Sequence, residues 1–85
     1  MKLKTLNYTA LFRKEPEGGY TVIVPLLPGC VTYGKNLTEA KKMAEEAIAI
    51  YIESLKTHHE EIPTEEEVFY AQVNIPPSIT KASYV

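Results

Sequence analysis

YTALFRKEPEGGYTVIVPLLPGCVTYG, residues 8–34, decides how this chain folds. With Leu6 just ahead of it, its opening places Leu6, Tyr8, Ala10 and Phe12 at every second position, with Asn7, Thr9 and Arg13 between or beside them. A period of two means a strand with one buried face. Lys14-Glu15-Pro16-Glu17-Gly18-Gly19 then predicts a turn, since proline pre-sets its own backbone angle and paired glycines accept positive φ. Tyr20-Thr21-Val22-Ile23-Val24 is the return strand, rich in β-branched and aromatic residues. Pro25 stops it, because proline donates nothing to a ladder. The remainder, Leu26 to Gly34, reads as a kinked loop and a short third strand.

Downstream of this meander the period changes. Thr38 is the expected N-cap of a helix running from about Glu39 to about Thr57, with Asn36 the second choice. Its apolar stripe is Ala40, Met43, Ala44, Ala47, Ile48, Tyr51 and Leu55. Ile50 and Ile52 fall outside it, each roughly 100° from its centre by the geometry of 3.6 residues per turn. They are expected either to be partly covered by the sheet edges or to meet a second copy of the chain. Nothing like a C-terminal glycine closes the helix; His58 and His59 sit at its negative end and Pro63 forbids continuation.

Glu60-Glu61-Ile62-Pro63-Thr64-Glu65-Glu66-Glu67 is an acidic connector. Val68 to Ile75 alternates again and predicts a fourth strand with Phe69, Ala71, Val73 and Ile75 on its core face, ended by Pro76-Pro77. Met1–Lys4 reads as a lead-in to the first strand and Ser78–Val85 as a short tail. A helix returning to a sheet crosses over with right-handed sense. The expected fold is therefore α+β: a two-layer sandwich, β-β-β-α-β, with a four-stranded sheet in the order 3-2-1-4 and one helix on one face.

With 85 residues there is room for a single domain, 1–85. A net charge of −2 argues against a sequence-independent grip on nucleic-acid phosphates. All eleven acidic residues are glutamate. One cysteine excludes an internal disulfide and fits a reducing, cytoplasmic setting. Neither a signal-peptide apolar core nor a membrane-length apolar run occurs, so no membrane partner is expected.

The order GGYTV (18–22), P-x-LPGC (25–30), Gly34, LTEA (37–40) and then an Ala/Glu-rich helix resembles the HicB-like antitoxin family, in one register from about Lys4 to Leu55. The resemblance implies a degenerate ribonuclease-H-like fold. It also implies a partner, a small basic HicA-like toxin that cleaves messenger RNA and is neutralised when its active site is covered. Many members carry a C-terminal DNA-binding module as well; here the chain ends about ten residues after the fourth strand. No such module is therefore expected in this chain.

Weighed against that reading, other chemistry is thin. Ribonuclease-H-type cleavage needs clustered carboxylates on strands to hold two metal ions. The first three strands carry none, and Glu39, Glu46 and Glu53 fit a solvated helix side. His58 and His59 are adjacent and so point about 100° apart, unlike a zinc-clasping pair. Cys30 is expected to be a buried filler rather than a nucleophile. Tyr8, Tyr20 and Tyr33, on neighbouring strands, suggest a base-stacking platform or half-buried sheet tyrosines, and the acidic balance favours the second. No catalytic residue, metal or cofactor is expected. Opposite a basic toxin, Glu60, Glu61, Glu65, Glu66 and Glu67 are the expected partner-binding residues. An open sheet edge favours a homodimer or a higher oligomer, with Ile50 and Ile52 as the contact residues. A stand-alone scaffold without a toxin, or a metal-dependent nuclease, are the competing readings.

Overall fold

Three strands precede one long helix: β1 (Leu11–Lys14), β2 (Tyr20–Ile23), β3 (Val31–Gly34) and α1 (Leu37–Thr57). This is a computed structural model; it describes residues 6–79, so the lead-in at Met1–Lys4 and most of the tail lie outside the described residues. The strands form one antiparallel sheet in the order β1-β2-β3. Leu11 faces Ile23 and Lys14 faces Tyr20 across the first pair; Tyr20 faces Gly34 and Ile23 faces Val31 across the second. The α+β class is as expected.

Two glycine positions explain how tightly the meander closes. The Glu15 amide bonds the Gly19 carbonyl and the Gly18 amide bonds the Glu15 carbonyl, both at 3.0 Å. Gly19 has a φ of 81°, and a Cβ there would lie 2.0 Å from the Tyr33 hydroxyl, which reaches over the turn to the Gly18 carbonyl. Gly34 lets the helix start against the end of β3, for a Cβ would fall 2.3 Å from the Ala40 amide nitrogen. Between β2 and β3, the Leu27 amide bonds the Val24 carbonyl and the Cys30 amide bonds the Leu27 carbonyl. These back-to-back turns push Leu27 inward until it is fully buried.

The core divides along the helix. Near its start, Val22 packs on Ala40 and Ala44, small residues that let helix and sheet approach closely. Further on, Val24, Leu27, Cys30 and Ile52 form a second cluster, flanked by Tyr8, Ile48, Leu55 and Ile62. The Tyr51 hydroxyl donates to the Pro28 carbonyl at 2.8 Å and ties the helix to the loop.

Several expectations need correction. The helix begins two residues earlier than Thr38 predicts. Asn36 is its N-cap, with Oδ1 accepting from the Glu39 amide at 2.8 Å, while the Glu39 carboxylate accepts from the Lys35 amide at 2.6 Å. Glu39 thus takes the third helical position and the two side chains satisfy separate free amides, an arrangement that a cap at Thr38 would forgo. The fourth strand is the larger departure. Val68–Ile75 pairs with no strand among the described residues, and Phe69 is 90% exposed, Val73 78% and Ile75 55%. Among the described residues the sheet therefore has three strands, and the order 3-2-1-4 is not formed among them. Alternation sets which face a strand would bury, but pairing requires an edge to meet, and this segment meets none among the described residues. The Cα radius of gyration is 16.8 Å, against about 12 Å for a compact chain of this length.

Candidate functional site

Helix α1 ends in a way that aims the acidic connector back at β1. The Glu60 amide bonds the Leu55 carbonyl and the His59 amide bonds the Lys56 carbonyl, the two bonds of a Schellman motif. His59 occupies the left-handed position with a φ of 57°. Beyond it, Ile62 packs against the second core cluster. The Tyr8 hydroxyl donates to the Pro63 carbonyl at 2.6 Å. The Glu65 carboxylate then receives both the Thr9 amide, at 2.5 Å, and the Thr9 hydroxyl, at 2.9 Å. Burial, reinforced by the Glu65 charge, raises the Tyr8 phenol above its ordinary 10.0. Residues 62–65 are thus fastened alongside the lead into β1.

The five connector glutamates consequently differ in what they offer. Glu60, Glu61 and Glu66 are exposed. Glu65 is half-buried and spends its carboxylate on Thr9, so it is a fastening within the chain. Glu67 lies in the short 3-10 turn Glu65–Glu67. The connector holds more negative charge than the whole chain's net −2, so the remainder of the chain is net positive.

The two misfit isoleucines also part company. Ile52 is buried, 8% exposed, in the cluster it shares with Val24, Leu27 and Cys30, with Ile62 of the returning connector packed against that cluster. It is a core residue of this chain and offers no free surface. Ile50, on the opposite flank, is 71% exposed beside the edge of β3, where it lines a shallow groove with Gly29, Val31 and Tyr51. A third surface was missed in the sequence. Leu11, Ile23 and Val31 stand in one cross-strand row on the sheet face turned away from Val22, and Leu11 and Val31 are 51% and 55% exposed. Part of the signal was available: registering the hairpin on its turn puts Leu11 opposite Ile23, while the place of Val31 depends on the turns of the 24–30 loop.

As chemistry, the arrangement is quiet. Among the described residues no three His, Cys or Glu side chains converge where they could hold a metal ion. Cys30 is buried, and burial pushes its thiol above the usual range, which disfavours the nucleophilic thiolate. The His58 ring bonds the Ser54 carbonyl at 2.8 Å and so serves the helix end. The tyrosines form no common platform: the register puts Tyr20 and Tyr33 on opposite faces, and Tyr8 is tied to Pro63. Glu15 is held below its ordinary value by hydrogen bonds from Thr21 and Arg13, within the hairpin end. No helix among the described residues is long and apolar enough to cross a membrane.

Comparison with known proteins gives the family. Residues 8–77 match the family model for the HicB-like antitoxin of bacterial toxin–antitoxin systems. A UPF0150 protein of Thermoplasma acidophilum is 52% identical over 58 residues, covering 68% of this chain and 84% of that one. A UPF0150 protein of Synechocystis is 45% identical over 60 residues, covering 71% and 76%. Antitoxin HicB 1 of Photorhabdus laumondii is 31% identical over 77 residues, 91% of this chain but 50% of that longer protein. With the family model spanning residues 8–77, the chain belongs to the HicB-like antitoxin family.

Proposed function

We propose that this chain is an antitoxin-type binding protein that neutralises a small, basic, HicA-like messenger-RNA-cleaving toxin by covering its active site. The single observation that carries this reading is the family match across residues 8–77. The exposed glutamates Glu60, Glu61 and Glu66, with Glu67 beside them in sequence, support it, because a concentrated negative strip competes with phosphate for a toxin's cations. The apolar row Leu11, Ile23 and Val31 supplies area that electrostatics alone lacks. In this reading the protein turns nothing over and works in the cytoplasm as one binding domain. It assembles as a homodimer or higher oligomer, with Ile50 at a contact. Its sheet takes the full ribonuclease-H-like order 3-2-1-4 only once Val68–Ile75 is docked beside β1. Co-expression with the basic protein of the adjoining reading frame tests the reading. Rescue of growth, and co-purification of the two chains, are the expected results; a partner that stays toxic and unbound overturns it.

A further inference from the structure

We propose that two copies of this chain exchange their Val68–Ile75 segments, each segment lying as a fourth strand along the other copy's β1. This goes beyond the antitoxin reading and does not rest on it. Three observations meet here. Among the described residues β1 pairs only with β2, and no described strand lies along its outer edge. Between that edge and α1 runs a groove of about 510 Å³ whose apolar lining includes Leu6, Tyr8, Ala10, Phe12, Ala44 and Ile48. Phe12 and Leu6 are 36% and 40% exposed at its mouth. Finally, Val68–Ile75 alternates apolar and polar residues, and from Phe69 onward makes no backbone hydrogen bond among the described residues.

The fastening of the connector says how the segment is presented. Thr9 and Glu65, with Tyr8 and Pro63, fix the chain next to the start of β1, so the segment leaves from the edge it would complete. Along it Phe69 and Val73 are more exposed than any other large apolar residue described. Its backbone at Val68 is already extended, at φ −122° and ψ 134°. Each copy thus carries one unfilled edge and one unpaired strand, and reciprocal exchange satisfies both with closed two-fold symmetry. Phe69, Ala71 and Val73 then enter the groove at alternate positions, while Gln72 and Asn74 face water. Ile50 lies on the opposite side of the helix stripe and stays free for contacts outside the pair.

The test uses the full chain at increasing concentration, read by light scattering and by amide hydrogen exchange. Twice the 9.6 kDa chain mass is expected. Exchange in residues 69–75 should slow by about tenfold or more as the dimer forms, the factor that 1.4 kcal/mol of protection gives. F69D/V73D, whose sites are exposed and outside the core, should keep the helical circular dichroism and remain monomeric; I50D should still pair. A monomer at every concentration overturns the proposal. So does protection that is independent of concentration, which would mean docking on the segment's own body. A dimer in which residues 69–75 exchange freely, or one that survives F69D/V73D, or one abolished by I50D, also overturns it.

Discussion

His59 holds the left-handed position that ends α1, with a φ of 57°, where glycine would normally stand. A side chain there costs about 1–2 kcal/mol, less whatever glycine loses through its freer unfolded chain. His59→Gly should therefore stabilise the protein by about 0.5–1 kcal/mol, read as a higher urea midpoint with unchanged slope. At the other end, Asn36→Ala should cost about 1 kcal/mol by removing the acceptor for the Glu39 amide, while Thr38→Ala should cost less. The sequence made the helix plain but not its stops. A left-handed histidine has no sequence signal, and Asn36 and Thr38 are both competent caps until the position of Glu39 distinguishes them. Tyr8 adds a pH dependence. Its phenol titrates above 10.0 in the fold, so the protonated form is favoured by folding. That stability is complete below the ordinary value and is lost as pH rises through the raised one. Chemical denaturation from neutral pH to about pH 11 should show the decline, and Tyr8→Phe should flatten it while losing the bond to the Pro63 carbonyl.

Helix α1 separates two isoleucines that its sequence pattern treats alike. Both lie off the stripe, yet Ile52 is 8% exposed and Ile50 71%. Periodicity assigns a residue to a direction around the helix axis. It does not say what covers that direction, and here Val24, Leu27 and Cys30, with Ile62 of the connector packed beside them, cover the Ile52 side. Ile52→Ala should cost about 2–4 kcal/mol, the removed methylenes plus the cavity left behind. Ile50→Ala should stay within about 0.5 kcal/mol. Equal losses in thermal unfolding would mean that the Ile50 flank is covered too. The meander was legible for the opposite reason: β1, the turn and β2 are local, and Pro16, Gly18 and Gly19 carry the turn's conformation in their own chemistry. Val68–Ile75 has equally clear alternation, but any strand it paired with would lie far off in sequence or in another copy, and a pattern of side chains cannot supply that partner.

Across the molecule, charge is distributed more unevenly than the net −2 suggests, since the connector alone exceeds it and the rest is net positive. The sequence located that strip but could not divide it, because Glu65 is bound to Thr9 only once the chain has folded back. The division makes two distinct predictions. Glu65→Ala should weaken folding by about 1–3 kcal/mol, leaving the Thr9 amide without its charged acceptor. Its effect on toxin association should follow only from that lost stability. Reversing Glu60, Glu61, Glu66 and Glu67 to lysine should leave the helix and sheet intact, since the side chains described among them are exposed and the core clusters contain none of the four. It should slow association with a basic toxin by about tenfold or more at low salt, with the two proteins converging as added salt screens fields beyond about 10 Å. Stopped-flow association at several salt concentrations reads both effects. Rates that fall equally at all salt concentrations would mean a damaged contact surface rather than lost steering, and unchanged rates would take the strip out of toxin recognition, leaving the apolar row Leu11, Ile23 and Val31 to account for binding.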